Sequence, residues 1–251
     1  MISTRTFLFL IVTGGLLFNS AASVEGKRGM MQDRPEAPSR KGELAAPSGL
    51  KAVYPDKTRC IEISSPYGSR TRYDGSQRPT FAPGGGSHGG IDLSLNEGTP
   101  LLALAAGTVV DKGEGGQMLG IYLWLRHAPE DTGLPYWVYS KYQHLRSIPE
   151  LAINAKVSMG QVAAYSGKTG TTGGHYGTEG YPHLHLTTRK SLNGELQGSQ
   201  NFDPLKIYLE ATPKPTGSGD AQSVMIPYMT TEGQVRPEGT RVVWPVACNA
   251  K

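Results

Sequence analysis

The residues best suited to chemistry in this sequence are its six histidines, two of which form the triplet His183-Leu184-His185. Side chains alternate between the faces of a β-strand, so in a strand these two imidazoles point the same way, about 7 Å apart along the backbone. One imidazole can then bind a metal ion while the other stands beside it. Leu184 would point to the opposite face, into apolar packing. Taken alone, the triplet leaves open a pair of exposed or hydrogen-bonded histidines.

A second segment, His88-Gly89-Gly90-Ile91-Asp92, combines an imidazole with a carboxylate. In a fully extended chain His88 and Asp92 would lie about 13 Å apart, whereas ligand bonds to zinc are about 2 Å long. The chain must therefore bend if both residues bind one ion. Gly89 and Gly90 permit a bend because glycine tolerates backbone angles that are closed to other residues. The alternative is a glycine-rich loop with an incidental charge at the start of a strand.

A third segment, Tyr142-Gln143-His144-Leu145, follows a strand-like run, and alternation along that strand predicts that Tyr142 and His144 share a face. Two imidazoles, one carboxylate and an open water position describe catalytic zinc. Four thiolates would describe a structural site, but the chain has only two cysteines. Magnesium or calcium would prefer more oxygen ligands. The donor types therefore favour zinc.

The elements that must position these residues are predicted to be strands. The chain has 251 residues with 33 Gly and 18 Pro, and no long segment repeats apolar residues at helical spacing. Turn-rich composition of this kind favours a mostly antiparallel β domain. The predicted strands cover residues 99–105, 108–111, 121–126, 136–143, 162–166 and 183–188.

The N-terminus has the pattern of a secretory signal peptide over residues 1–22. Arg5 precedes an apolar run at residues 7–18, and small residues around Ala22 offer a cleavage site. The run is shorter than the roughly 20 residues of a membrane span, although an uncleaved anchor is the alternative. We therefore expect export to the periplasm or the medium, with no stable membrane insertion after cleavage. The chain shows no clustered basic patch with interleaved aromatic residues, so nucleic acid is not an expected partner.

The remaining chain divides by composition into three parts. Residues 23–55 mix charges with Pro, Ser, Gly and Ala and are predicted to be a flexible linker. The catalytic domain is predicted at residues 56–211, and a C-terminal extension at 212–251. This extension begins with a second linker at residues 212–219 and contains a strand-like run at residues 241–244.

These segments together resemble the lysostaphin-type, LytM-domain zinc metallopeptidases, which cleave peptides of bacterial peptidoglycan. The resemblance covers roughly residues 63–188 and keeps the order of the family's motifs. The matching segments are Ser65-Pro66-Tyr67-Gly68-Ser69-Arg70, His88-Gly89-Gly90-Ile91-Asp92, Gly98-Thr99-Pro100, Ala105-Ala106-Gly107-Thr108-Val109, Tyr142-Gln143-His144-Leu145, Gly160-Gln161-Val162, Gly167-Lys168-Thr169-Gly170 and Pro182-His183-Leu184-His185.

The resemblance implies specific roles for five residues. It assigns His88, Asp92 and His185 as zinc ligands, and His144 and His183 as catalytic histidines that do not bind the metal. It also implies an antiparallel β-sheet with the zinc site in a groove, bordered by long loops. The expected substrates are glycine-rich bridges or stem-peptide bonds that involve D-amino acids.

No His-Glu-x-x-His motif is present to supply a glutamate base, so His144 and His183 are the expected acid–base pair. Two other functions stay open at this stage: a non-catalytic wall-binding or regulatory protein of the same fold, and a zinc carboxypeptidase acting on D-Ala termini.

Two departures from the family's pattern concern the surroundings of the expected site. Residues 173–181 form a longer link than usual and carry His175. The residues that follow His185 also differ from the family's usual aromatic and acidic pair. We expect His127 and His175 to be ordinary surface histidines.

The two cysteines, Cys60 and Cys248, are expected to form a disulfide, because an exported chain folds in an oxidising compartment. The alternatives are buried thiols or pairing with another chain. The disulfide would tie the C-terminal tail to the domain entrance. Residues 241–244 would then pack on the domain and cover a sheet edge.

Overall fold

The computed structural model describes residues 45–80, 85–211 and 222–250. The predicted signal peptide at residues 1–22 and the predicted linker at residues 212–219 lie outside these ranges. Among the described residues, no helix is long and apolar enough to cross a membrane. The described chain is mainly β, which confirms the predicted fold class.

Strands dominate the secondary structure, with two short α-helices between them. The strands are Lys51–Val53 (β1), Thr58–Arg59 (β2), Ile63–Ser65 (β3), Ile91–Ser94 (β4), Pro100–Leu102 (β5), Gly107–Glu114 (β6), Ile121–His127 (β7), Trp137–Gln143 (β8), Lys156–Val157 (β9), Val162–Tyr165 (β10), His183–Ser191 (β11), Gln200–Phe202 (β12), Ser223–Met225 (β13), Tyr228–Met229 (β14), Val235–Arg236 (β15) and Asn249–Ala250 (β16). The α-helices are Pro129–Thr132 (α1) and Leu205–Ala211 (α2).

The main sheet has eight strands: seven follow the order β3-β4-β11-β8-β7-β6-β9, and β12 pairs with β11 on the edge opposite β8, farther along β11 than β4. Every pairing within it is antiparallel. The long strand β11 lies at its centre, between β4 on one side and β8 on the other. This arrangement places the His183-Leu184-His185 triplet next to the ends of two neighbouring strands.

The main sheet has two different faces, because apolar and polar residues alternate along its strands. In β7, the buried Leu123 and Leu125 alternate with the half-buried Tyr122, Trp124 and Arg126. The leucine side joins the hydrophobic core. The opposite side, which we call the polar face, carries Tyr122 and Trp124 and extends across Lys141 and Gln143 to His185. The sheet thus packs on one face and leaves the other for chemistry.

The C-terminal tail is built into the domain. Cys60 and Cys248 form the predicted disulfide across a sequence separation of 188. Trp244 is fully buried in the core, and its indole N–H donates to the Ile61 carbonyl. Residues 243–245 lie along the edge of β5, where Leu102 N–H donates to Pro245 O.

Residues 241–244 pack on the domain as expected, but they do not form the predicted strand. Their backbone bonds go to two separate segments, since Val243 N–H donates to Leu104 O and Trp244 N–H donates to Pro227 O. Pro245 follows directly and has no N–H to continue a ladder. A strand-like composition therefore gives an extended, irregular segment.

The predicted linker at residues 23–55 is partly wrong. Its described part, residues 45–55, contains β1, which pairs in parallel with β13 from the C-terminal tail. The Ser48 hydroxyl also donates to the Asp203 carboxylate. The chain is therefore anchored before residue 56, because the tail supplies a strand that the linker interpretation did not consider.

His127 is not a surface histidine, as the sequence predicted, but is fully buried at the end of β7. Its Nδ1–H donates to the Ala106 carbonyl at 2.7 Å, and its Nε2 accepts from the Ser140 hydroxyl at 2.8 Å. Burial lowers the pKa of His127 from 6.5 to about 4. The ring therefore stays neutral in the folded protein at pH values where the unfolded chain would be protonated.

This buried histidine predicts a loss of stability in mild acid. As pH falls from about 6.5 towards 4, His127 binds a proton in the unfolded chain but stays neutral in the native protein. The free energy of unfolding should fall by up to about 3 kcal/mol over this window from this group alone. Urea unfolding at several pH values measures the effect, with His127→Gln as the comparison. The variant should lack this part of the pH dependence, and parallel curves for the two proteins would contradict the assignment.

Candidate metal centre

The site is assembled by the pairing of β4 with β11, whose register sets Asp92 directly opposite His185. His88 enters from the turn that leads into β4. Neither Gly89 nor Gly90 has a positive φ, so the bend does not use the angles that the sequence interpretation proposed. Gly90 is needed for another reason: a Cβ there would lie 2.3 Å from the Leu186 carbonyl oxygen. Close approach to β11 is what requires glycine at this position.

The three predicted ligands converge on one point. The distances are 3.1 Å from His88 Nε2 to Asp92 Oδ1, 3.0 Å from His88 Nε2 to His185 Nδ1, and 2.8 Å from His185 Nδ1 to Asp92 Oδ1. Zinc ligands at about 2.0 Å in tetrahedral geometry would lie about 3.3 Å from one another. The observed triangle is close to that size, so the three atoms can share one ion.

Outward contacts allow both imidazoles to face a metal ion. The Pro66 carbonyl lies 3.0 Å from His88 Nδ1 and can only accept, so Nδ1 carries the proton and Nε2 offers a lone pair to the triangle. The His185 Nε2 atom lies 3.0 Å from the Thr187 hydroxyl, which can accept its proton when Nδ1 binds a metal ion. Two imidazole nitrogens and one carboxylate oxygen can then face one ion. A divalent cation is the group that such a donor set fits.

Asp92 supplies the negative charge of the site. Burial alone would raise its pKa, but His88 and His185 offset this effect and hold the pKa well below its usual value. Its second oxygen, Oδ2, accepts from Arg78 Nη2 at 3.2 Å. The same nitrogen donates to the Ser65 hydroxyl at 2.9 Å. Arg78 thus holds Oδ2 away from the imidazoles and leaves Oδ1 to face them.

His144 and His183 lie beside this triangle with their ring centroids 4.5 Å apart. Each ring donates its Nδ1–H to a backbone carbonyl at 2.8 Å: His144 to Thr169 O and His183 to Tyr181 O. Their Nε2 atoms are therefore free of protons, and that of His183 lies 3.6 Å from Asp92 Oδ1. Burial lowers the pKa of His144 to about 3 and also lowers that of His183. Both rings are therefore neutral near pH 7.

The expected shared face of Tyr142 and His144 is wrong. Tyr142 belongs to the hydrophobic core, where its hydroxyl donates to the Leu102 carbonyl at 2.9 Å. Strand β8 ends at Gln143, and His144 has a φ of 59°. Alternation no longer applies beyond the strand end, so the left-handed backbone turns His144 towards His183 and His185.

The long link at residues 173–181 contributes an aromatic wall. The Tyr181 ring stacks on His183 at 4.4 Å, and Tyr73 stacks on the other side of Tyr181 at 4.0 Å. His175 lies at the surface, as predicted, and pairs with Asp74 at 2.8 Å. Sequence reasoning missed the support that Tyr181 and Arg78 give to the site, because neither residue belongs to a spacing pattern of metal ligands.

Comparisons with known proteins show which proteins this chain is similar to. Residues 86–204 match the profile described as Peptidase family M23. An uncharacterized metalloprotease of Haemophilus influenzae is 28% identical over 181 residues, which is 71% of this chain and 32% of that protein. The glycyl-glycine endopeptidase ALE-1 of Staphylococcus capitis is 33% identical over 123 residues, which is 47% of this chain and 29% of that protein.

Among solved structures, the catalytic domain of lysostaphin from Staphylococcus simulans is similar with a TM-score of 0.39 and 24% identity, over 56% of this chain and 88% of that domain. The chain spans about a third of the length of the two curated relatives. The predicted resemblance is confirmed: residues 86–204 match peptidase family M23, and the similar proteins include a metalloprotease and a glycyl-glycine endopeptidase.

The contact between Arg78 and Asp92 predicts a contribution to metal affinity. Arg78→Gln should weaken metal binding by roughly 10–100-fold, because groups that orient a ligand typically matter to that extent. Arg78→Lys keeps the charge but not the planar geometry, so its metal affinity should lie between those of Arg78→Gln and the unaltered protein. Competition with a chromogenic chelator gives the affinities. Arg72→Gln is the matched control, since Arg72 bonds to Ser76 and Gln77 O instead. Equal affinity of Arg78→Gln and the unaltered protein would refute this role.

Proposed function

We propose that this protein is an exported zinc endopeptidase that hydrolyses peptide bonds in bacterial peptidoglycan. The observation that carries the proposal is the convergence of one ligand atom each from His88, Asp92 and His185, all within 4.8 Å of one another. Two imidazoles and one carboxylate are donors that suit zinc and leave room for a catalytic water. When bound there, zinc would act as a Lewis acid that lowers the pKa of water and polarises a carbonyl group.

In this proposal, His144 and His183 provide the proton transfers. Each holds its Nδ1–H on a backbone carbonyl, which leaves Nε2 free, and His183 Nε2 lies 3.6 Å from Asp92 Oδ1. One imidazole accepts the proton of the attacking water at Nε2 and passes it to the leaving amine, and the other can accept a hydrogen bond at its Nε2 and orient that water. Their low pKa values favour the neutral form that a base requires.

The substrate class rests on similarity and on the expected route of export. The relative from Staphylococcus capitis is a glycyl-glycine endopeptidase by name. The sequence resembles enzymes that cut glycine-rich bridges or stem-peptide bonds of the wall, and the N-terminal pattern predicts secretion. We therefore propose peptidoglycan peptides as the substrate and the periplasm or the medium as the location.

The proposed ligands predict a loss of both metal and activity. The purified protein should hold about one zinc per chain, and His88→Ala, Asp92→Ala or His185→Ala should each reduce zinc content and abolish hydrolysis of purified sacculi. Elemental analysis and mass analysis of released fragments measure the two properties. His175→Ala serves as the control, because this histidine pairs with Asp74 at the surface. Full zinc occupancy in all three ligand variants would refute the ligand set.

The proposed catalytic histidines predict a different outcome. His144→Ala and His183→Ala should retain zinc but lose roughly 10²–10⁴-fold in rate, the usual contribution of general acid–base catalysis. The rate is that of fragment release from purified sacculi, measured under single-turnover conditions. Near-normal turnover in either variant would remove that histidine from the mechanism. Bound zinc with no hydrolysis by the unaltered protein would instead support a non-catalytic wall protein.

A further inference from the structure

A lysine lies on the polar face close to the metal centre. In the sheet register, His185 pairs with Gln143, and the next pair on the same face is Thr187 with Lys141. Successive residues on one face of a strand are about 7 Å apart. The Thr187 hydroxyl lies 3.0 Å from His185 Nε2, so Thr187 lies between the metal centre and this lysine. Lys141 is therefore about two substrate residues away from the proposed metal.

Two aromatic rings hold the Lys141 side chain in place. Its Nζ lies 4.9 Å from the ring centroid of Tyr122 and 5.5 Å from that of Trp124. Cation–π contacts of this kind attract the ammonium to the ring faces. They position the charge but satisfy none of its three N–H donors with an oxygen acceptor.

Lys141 has no carboxylate partner in the part of the chain that the structure describes. The carboxylate that acts on Lys141 is that of Asp111, which lies in the same row of the polar face with Trp124 between them and accepts from the Tyr122 hydroxyl at 3.2 Å. Burial lowers the pKa of Lys141 to about 8 despite Asp111. The ammonium is thus partly withdrawn from water without a counter-ion in contact.

The arginines of the polar face are bonded elsewhere or lie farther from the metal centre. Arg189 donates to Ser199 through both its Nε and its Nη2. Arg126 makes a cation–π contact with the Trp137 ring at 5.1 Å, as Lys141 does with its own two rings, but it lies one pair farther from His185. Lys141 is the cation of this face that combines free donors with a position next to the metal centre.

We propose that Lys141, held between Tyr122 and Trp124, is a subsite for a free carboxylate of the peptide substrate, about two residues from the scissile bond. This inference rests on the proposed function and adds one feature of the substrate, a free carboxylate. A carboxylate would supply the counter-ion that the ammonium lacks and would fix the position of the peptide relative to the metal. The enzyme would then prefer peptides that carry a free acid group to their amidated forms.

The test compares acid and amide forms of the same peptide. N-acetyl-tetraglycine and N-acetyl-D-alanyl-D-alanine are each prepared as free acid and as carboxamide, and their binding to the purified protein is measured by calorimetry. The protein is compared with Lys141→Met, which keeps an unbranched side chain over the rings, and with Lys141→Arg. Lys190→Met is the matched control, because Lys190 lies on β11 but pairs with Val138, on the opposite face.

At least one acid should bind about tenfold more tightly than its amide to the unaltered protein and to Lys190→Met, as a charge-assisted contact would give. Lys141→Met should lose this preference, Lys141→Arg should keep most of it, and added salt should weaken it. Equal binding of acid and amide, or undetectable binding of both, would overturn the proposal. The proposal would also be overturned if Lys141→Met still bound the acid more tightly than the amide, because the carboxylate would then bind to the metal instead of Lys141.

Hydrolysis of sacculi is measured separately on the same variants. If the unaltered protein releases wall fragments but shows no acid preference, the subsite is wrong and the proposed function stands. If the acid preference depends on Lys141 but no fragments are released, the subsite stands and the peptidase proposal fails.

Discussion

The structure depends on the register between β4 and β11. This register sets Asp92 opposite His185 and puts Leu93 opposite Leu184 on the core face. A slip of one residue would move the leucines to the polar face and the metal ligands into the core. The burial of Leu93 and Leu184, both fully inaccessible to solvent, therefore fixes the positions of the ligands. Packing on one face of the sheet determines the chemistry on the other.

Hydrogen bonds around the site then decide what each side chain can do. Backbone carbonyls accept the Nδ1–H of His88, His144 and His183, so all three rings leave Nε2 free, and those of His88 and His183 face Asp92. His185 is reversed, because its Nδ1 faces Asp92 and its Nε2 lies beside the Thr187 hydroxyl. The three backbone contacts fix the tautomers of these rings before any metal or substrate binds. Such preorganisation reduces the rearrangement that the reaction would otherwise require.

The sequence predicted the mainly β fold, the family resemblance and the disulfide, because strand alternation, ordered motifs and an oxidising compartment are local or compositional signals. It failed where tertiary context decides. His127 looked like a loop histidine, but β7 extends to include it and buries it against Ser140. Strand alternation mispredicted His144, since a positive φ follows the end of β8. Arg78 and Tyr181 reach the site from separate segments, and no spacing rule in the sequence joins them to it.

The central claim is that two imidazoles and one carboxylate of this chain hold a zinc ion. X-ray absorption at the zinc edge of the purified protein tests it most directly. The account predicts about one zinc per chain, surrounded by nitrogen and oxygen atoms alone, with the multiple-scattering signature of two imidazoles. That signature should fall to one imidazole, or the zinc should be lost, in His185→Ala. Protein purified without bound zinc even after incubation with it, or a zinc shell with fewer than two imidazoles, would contradict the account.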